Sequence, residues 1–97
     1  MASPIVNAMS VDVEDYFQVS AFENRISRSD WHQHESRVRV NVERILDLFD
    51  QHRVKATFFT LGCLAEQYPE MVLDIVNQGH ELASHGWDHR RVTSLTP

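Results

Sequence analysis

The order of three short apolar runs, and the helical patterning between them, constrains this chain more than any other feature. Residues 5–14 read Ile-Val-Asn-Ala-Met-Ser-Val-Asp-Val-Glu, an apolar start passing into alternation at Met9, Val11 and Val13. Val54 to Leu61 contains Ala-Thr-Phe-Phe-Thr-Leu, and His80 to Ser84 is a third short run. Such runs read as strands. Between the first two, Val38, Val42, Ile45, Leu46 and Phe49 recur at helical steps, predicting an amphipathic helix from about Glu35 to His52. Between the last two, Pro69 can open a helix whose buried face is Met71, Val72, Ile75 and Val76, with Gly79 as its stop. The order strand, loop, helix, strand, helix, strand predicts an α/β fold of parallel strands with crossover helices.

Such a sheet, with helices on one side, keeps an edge and a face bare. A closed α/β barrel takes roughly 200 residues or more. The 97 residues are therefore expected to be the N-terminal part of a larger domain, or to need a partner segment. Ser94-Leu95-Thr96-Pro97 is turn-like and would begin a further loop or helix.

Charge narrows the partners. Nine Lys+Arg against fourteen Asp+Glu give a formal charge of −5, whereas nucleic acid and anionic membrane surfaces require a basic footprint. No window approaches the ~20 apolar residues of a membrane helix. No Lys or Arg precedes Arg25, and no apolar run ends in a cleavage site, so no secretory signal is expected. Cys63, the single cysteine, reads as a small hydrophobe in a reducing compartment, which makes a cytoplasmic location the expectation.

Chemistry gathers at the ends of the predicted strands. Because strand side chains alternate, Asp12 and Glu14 share a face at the C-terminal end of the first strand, and Asp15 follows at the turn. His85-Gly86-Trp87-Asp88-His89 follows the third strand directly, and two imidazoles four apart on a helical turn can reach one divalent ion. Two His and one carboxylate form a first shell with a position open for water. A further Asp beside it can take the proton of water acidified by the ion.

Other polar residues read as structural. Tyr16 to His34 is an aromatic, polar loop without periodicity, and loops of that length are commonly lids or binding loops. His32 and His34 are expected in solvent, His52 at a helix C-terminus, and His80 as a hydrogen-bonded structural residue.

Three segments together resemble the N-terminal half of polysaccharide deacetylase catalytic domains, the NodB-homology type or carbohydrate esterase family four. Ser10-Val11-Asp12-Val13-Glu14-Asp15 stands at the family's Thr-Phe-Asp-Asp motif, and Lys55 to Gly62 resembles its second strand. Gly79 to His89 resembles its His-Ser/Thr-x-x-His segment, with Gly86 at the small polar position. The form Asp-Val-Glu-Asp-Tyr-Phe is similar to exosortase-associated exopolysaccharide deacetylases and to peptidoglycan deacetylases and allantoinases of the same superfamily.

The resemblance implies that residues 1–97 are the N-terminal part of one distorted (β/α) barrel. It implies Asp12 as catalytic base, His85 and His89 as metal ligands, and a divalent metal, zinc first, acting on an N-acetylated polysaccharide. Val13 occupies the usual carboxylate-ligand position, so that role passes to Glu14, with Asp15 as the alternative. Tyr16, Phe17, Phe22 and Trp31 are candidates to stack on sugar rings or to pack over the barrel. The family's orienting Arg and general-acid His belong to later motifs, so these residues alone are expected to turn over little. The rival readings are an allantoinase-like small-molecule amidohydrolase and a non-catalytic α/β binding module.

Overall fold

The computed structural model describes residues 6–90, 93, 95 and 96. Ile5 of the first apolar run, and Ser94 and Pro97 of the expected terminal turn, lie outside the described residues.

β1 (Ser10–Val13), β2 (Thr57–Thr60) and β3 (Glu81–Ser84) form one parallel sheet in the order β1-β2-β3. Val13 stands opposite Thr60, and Thr60 opposite Ser84, so the three strands end level at one rim. The strands are shorter than the apolar runs. Flanking residues still extend the hydrogen bonding, with Thr57 N–H donating to Met9 O at 3.0 Å and His85 N–H to Thr60 O at 3.1 Å.

α1 (Val38–His52) and α3 (Pro69–Asn77) are the crossovers. Val38, Val42 and Leu46 of α1 and Met71 and Ile75 of α3 meet Val13 and Phe58 in the core. Burial of each such side chain contributes roughly 1.5–3 kcal/mol. Adjacent residues of β2 divide the sheet: Phe58 is fully buried under the helices, whereas Phe59 is 36% exposed on the uncovered face.

Four local differences from the sequence reading have identifiable causes. α1 begins at Val38 rather than near Glu35, because Arg37 and Val38 N–H both donate to the Asp15 carboxylate and fix the first turn there. After β2 the chain enters a further helix that the sequence reading did not include, α2 (Gly62–Gln67), six residues long and too short to show periodicity. Leu61 and Leu64 anchor it in the core. Val76 is exposed because the buried stripe of α3 is narrow and runs through Met71 and Ile75. The predicted loop after β1 contains 3-10 turns at Tyr16–Gln18, Ser20–Phe22 and Arg28–Gln33. Ring packing of Phe17 against Trp31 and His34 organises it.

His80 behaves as expected. Its Nδ1 accepts the Ala56 N–H at 3.1 Å, and its ring packs against Phe49 and Phe58. Burial, then the nearby Lys55, lower its pKa. His52 is exposed in the last turn of α1. Among the described residues no helix is long and apolar enough to cross a membrane.

Candidate metal centre

The level rim of the sheet carries the acidic and imidazole residues. Glu14 follows the last residue of β1, and His85 follows the last residue of β3. The chain then departs from the expected helical turn. Gly86 adopts φ +83° and His89 φ +66°, both in the left-handed region, which a side chain enters at a cost but glycine enters freely.

What holds this loop is the N-terminus of α2, whose first N–H groups have no partner within the helix. Gly62 N–H donates to Gly86 O at 2.8 Å, and Cys63 N–H to Trp87 O at 2.9 Å. Gly86 N–H in turn donates to Ser84 Oγ at 3.2 Å. The two histidines therefore meet because the loop doubles back over α2, not because they share a helical face.

The meeting is close. Glu14 Oε2 lies 3.2 Å from His89 Nε2 and 3.5 Å from His85 Nε2. The two imidazoles are edge to face with centroids 4.9 Å apart. One ligand atom from each of the three residues lies within 4.8 Å of the others. Glu14 Oε2 and His85 Nε2 are buried without a hydrogen-bond partner. Buried polar atoms are otherwise almost always paired.

A cation resolves that deficit, because lone pairs on carboxylate oxygen and neutral imidazole nitrogen can share it. Bonds of about 2.0–2.1 Å in a tetrahedral shell put ligand atoms roughly 3.3 Å apart, close to the two separations from Glu14 Oε2. The residues thus fit a divalent metal ion.

Asp15 is committed elsewhere. Its carboxylate accepts Ser36 Oγ–H at 2.6 Å, Arg37 N–H at 2.8 Å and Val38 N–H at 2.9 Å. Those bonds hold the first turn of α1, and Asp15 is not among the three residues whose ligand atoms converge. Asp12 is exposed on β1 in register with Phe59. It is not one of the three converging residues.

The aromatic candidates separate. Phe17 is buried, edge-on to Tyr16 and stacked with His34, and so is a packing residue. Tyr16 and Phe22 are exposed. Trp31 is half-buried beneath the Arg28 guanidinium, with its Nε1 buried and unpartnered. His34 is not free in solvent, because the Phe17 ring covers it and Tyr16 Oη lies 3.4 Å from its Nδ1. His32 is exposed as expected. A cavity of about 500 Å3 is lined by Phe17, Gln18, Arg28, Trp31, Asp88 and Arg90, among others.

Cys63 is half-buried, and burial followed by Asp88 pushes its thiol pKa up, consistent with an inert side chain. One residue of the site was not visible in the sequence. Ser20 Oγ lies 3.5 Å from His89 Nδ1 across 69 positions. A serine in a polar loop carries no signal of such a contact.

Residues 31–97 match the family model described as polysaccharide deacetylase. The chain belongs to the polysaccharide deacetylase family. The match includes His85 and His89 but begins after Glu14, so the acidic side of the centre rests on geometry. The family is generally metal-dependent, which agrees with the fit of the three residues.

Two relatives from this family resemble part of the chain. It is 50% identical over 52 residues to a peptidoglycan-N-acetylglucosamine deacetylase of Bacillus cereus, spanning 54% of this chain and 19% of the relative. It is 40% identical over 53 residues to a chitooligosaccharide deacetylase of Bradyrhizobium, spanning 55% of this chain and 24% of the relative. The chain thus matches about a fifth to a quarter of each relative's length. The structure of the peptidoglycan deacetylase PdaC from Bacillus subtilis superposes with a TM-score of 0.64 at 24% identity, covering 92% of this chain and 33% of that one. That likeness bears on the fold, which is part of a NodB-like (β/α) barrel.

Proposed function

We propose that residues 1–97 form the N-terminal part of one catalytic domain that hydrolyses N-acetyl groups on a polysaccharide. Glu14, His85 and His89 would hold a divalent cation, and Asp12 would act as base. The observation that carries this reading is the approach of Glu14 Oε2 to both imidazoles, with two of the converging atoms buried and unpaired. Two nitrogens and one carboxylate oxygen make zinc the ion of first choice.

When bound, such a cation supplies positive charge that polarises an acetamide carbonyl and acidifies water. The chain's own residues do the rest. Asp12 precedes Glu14 by two residues, roughly 6–7 Å along the strand, on the same face. Its exposed carboxylate is free to accept a proton at the rim. The edge of exposed Tyr16, whose ring lies under Arg37, offers an aromatic surface to a sugar, whereas Trp31 lies against Arg28 and Phe17. The names of the two relatives favour an N-acetylglucosamine polymer as the substrate class.

The test is acetate release from chitooligosaccharide and from peptidoglycan by the full-length protein, with its metal content measured in parallel. Chelation should abolish release and zinc should restore it. Asp12→Asn should retain the metal and lose at least ~100-fold in rate, the usual scale for a general base. Full activity in Asp12→Asn or after chelation would overturn the reading. Activity confined to a small ureide or amide would favour the allantoinase-like alternative.

A further inference from the structure

His89 presents Nε2 to Glu14 at 3.2 Å, which leaves Nδ1 to carry the ring proton whenever Nε2 offers its lone pair to a cation. Ser20 Oγ stands 3.5 Å from that Nδ1. A hydroxyl oxygen can accept the proton and so fix both the tautomer and the rotation of the ring. Metal-ligating histidines generally need such a partner, and its loss typically costs 10–100-fold in affinity.

Ser20 is well placed to hold still. It opens a 3-10 turn in which Glu23 N–H donates to Ser20 O at 3.2 Å and Phe22 N–H to Val19 O at 3.1 Å. The preceding turn is closed on both sides: Gln18 N–H donates to Asp15 O at 2.9 Å, and Asp15 N–H to Gln18 Oε1 at 2.7 Å. Asp15 is itself fixed by its three bonds to residues 36–38. Two successive hydrogen-bonded turns therefore lead from the base of the loop to Ser20.

His89 needs that support more than a helical ligand would. Its backbone sits at φ +66°, outside any helix or strand, so regular structure does not orient the ring. We infer that Ser20 is a positioning residue for the metal centre, accepting the Nδ1 proton of His89 and holding Nε2 toward Glu14. The inference rests on the proposed metal-binding role of Glu14, His85 and His89, and adds to it a requirement on the loop between β1 and α1.

Calorimetric titration of the full-length, chelator-stripped protein with Zn2+ tests this, using Ser20→Ala, Ser20→Thr and, as control, Ser27→Ala. Among the described residues the Ser27 hydroxyl bonds within its own loop, to the hydroxyl and N–H of Ser29. Ser20→Ala should weaken Zn2+ binding about tenfold or more, whereas Ser20→Thr, which keeps the hydroxyl, and Ser27→Ala should stay within about twofold of the parent. Proton exchange followed in nitrogen-15 spectra of the Zn2+-loaded protein should show the His89 Nδ1–H protected from water in the parent and exchanging faster in Ser20→Ala. Unchanged affinity and exchange in Ser20→Ala would overturn the inference while leaving the proposed metal centre intact. A parent protein that takes up no Zn2+ would overturn both.

Discussion

The Asp15 carboxylate accepts the backbone N–H of Val38 at 2.9 Å, joining the end of β1 to the first turn of α1 across the whole intervening loop. With Arg37 N–H and the Ser36 hydroxyl also bound, and only 2% of the residue exposed, this contact adds a polar tie to the core packing that already joins the two ends of the loop. Because Glu14 is the preceding residue, the same contact fixes one wall of the candidate metal centre.

Asp15→Ala should therefore destabilise the protein by about 2–4 kcal/mol, combining a lost helix cap with buried N–H groups left unpaired. Asp15→Asn, which keeps an acceptor for both N–H groups, should cost about 1 kcal/mol. Urea unfolding of the two variants checks the difference. Equal losses would mean that the backbone hydrogen bonds are not what Asp15 contributes.

Neighbouring carboxylates should separate in their effect on metal. Glu14→Gln should lower Zn2+ affinity at least ~10-fold with little change in stability, because it weakens a charged ligand at the rim. Asp15→Asn should leave affinity within a few-fold. Titrating both proteins decides between them, and a reversed ranking would return Asp15 to the ligand set.

Stability should also respond to pH through His80, which is 6% exposed. Burial and Lys55 lower its pKa from the ordinary 6.5, so between the lowered value and 6.5 the unfolded chain binds more protons than the folded one. The contribution is therefore complete above about 6.5 and is lost as pH falls below it. Protonation would also set an N–H against the Ala56 N–H that Nδ1 now accepts. Comparing His80→Asn with the parent in urea between pH 7.5 and 5.5 should show a shallower decline in the variant. Parallel curves would remove His80 from the account.

These contacts also show what the sequence discloses. Parallel order, both crossover helices and the acidic and imidazole ends of the strands were legible, because each depends on periodicity or on residues close in sequence. Alternation put Glu14 beside Asp12, but the engagement of Asp15 with α1 was not legible, because it depends on residues 36–38. The left-handed turn at Gly86 and His89 was not legible. It exists because α2, itself too short to announce its presence, offers N–H groups to Gly86 O and Trp87 O. Ser20 was hidden for the same reason, since its partner lies 69 positions away.

The dependence of the histidine loop on α2 yields a last prediction. A Cβ at Gly62 would lie 2.6 Å from Trp87 Cε3 and 3.2 Å from Cζ3. The indole is 58% exposed and can swing aside, but Trp87 O is bound to Cys63 N–H at 2.9 Å, so its backbone cannot follow without disturbing His85 and His89. Gly62→Ala should consequently cost only about 1 kcal/mol in stability, since alanine favours the helix while the clash opposes it. Its Zn2+ affinity should nevertheless fall about tenfold, a response expected when the support of a ligand is disturbed. Adding Trp87→Ala removes the clashing ring and should restore affinity in the double variant. If affinity stays low there, the indole contact is not how position 62 reaches the centre, and the backbone bonds from Gly62 and Cys63 become the cause to test.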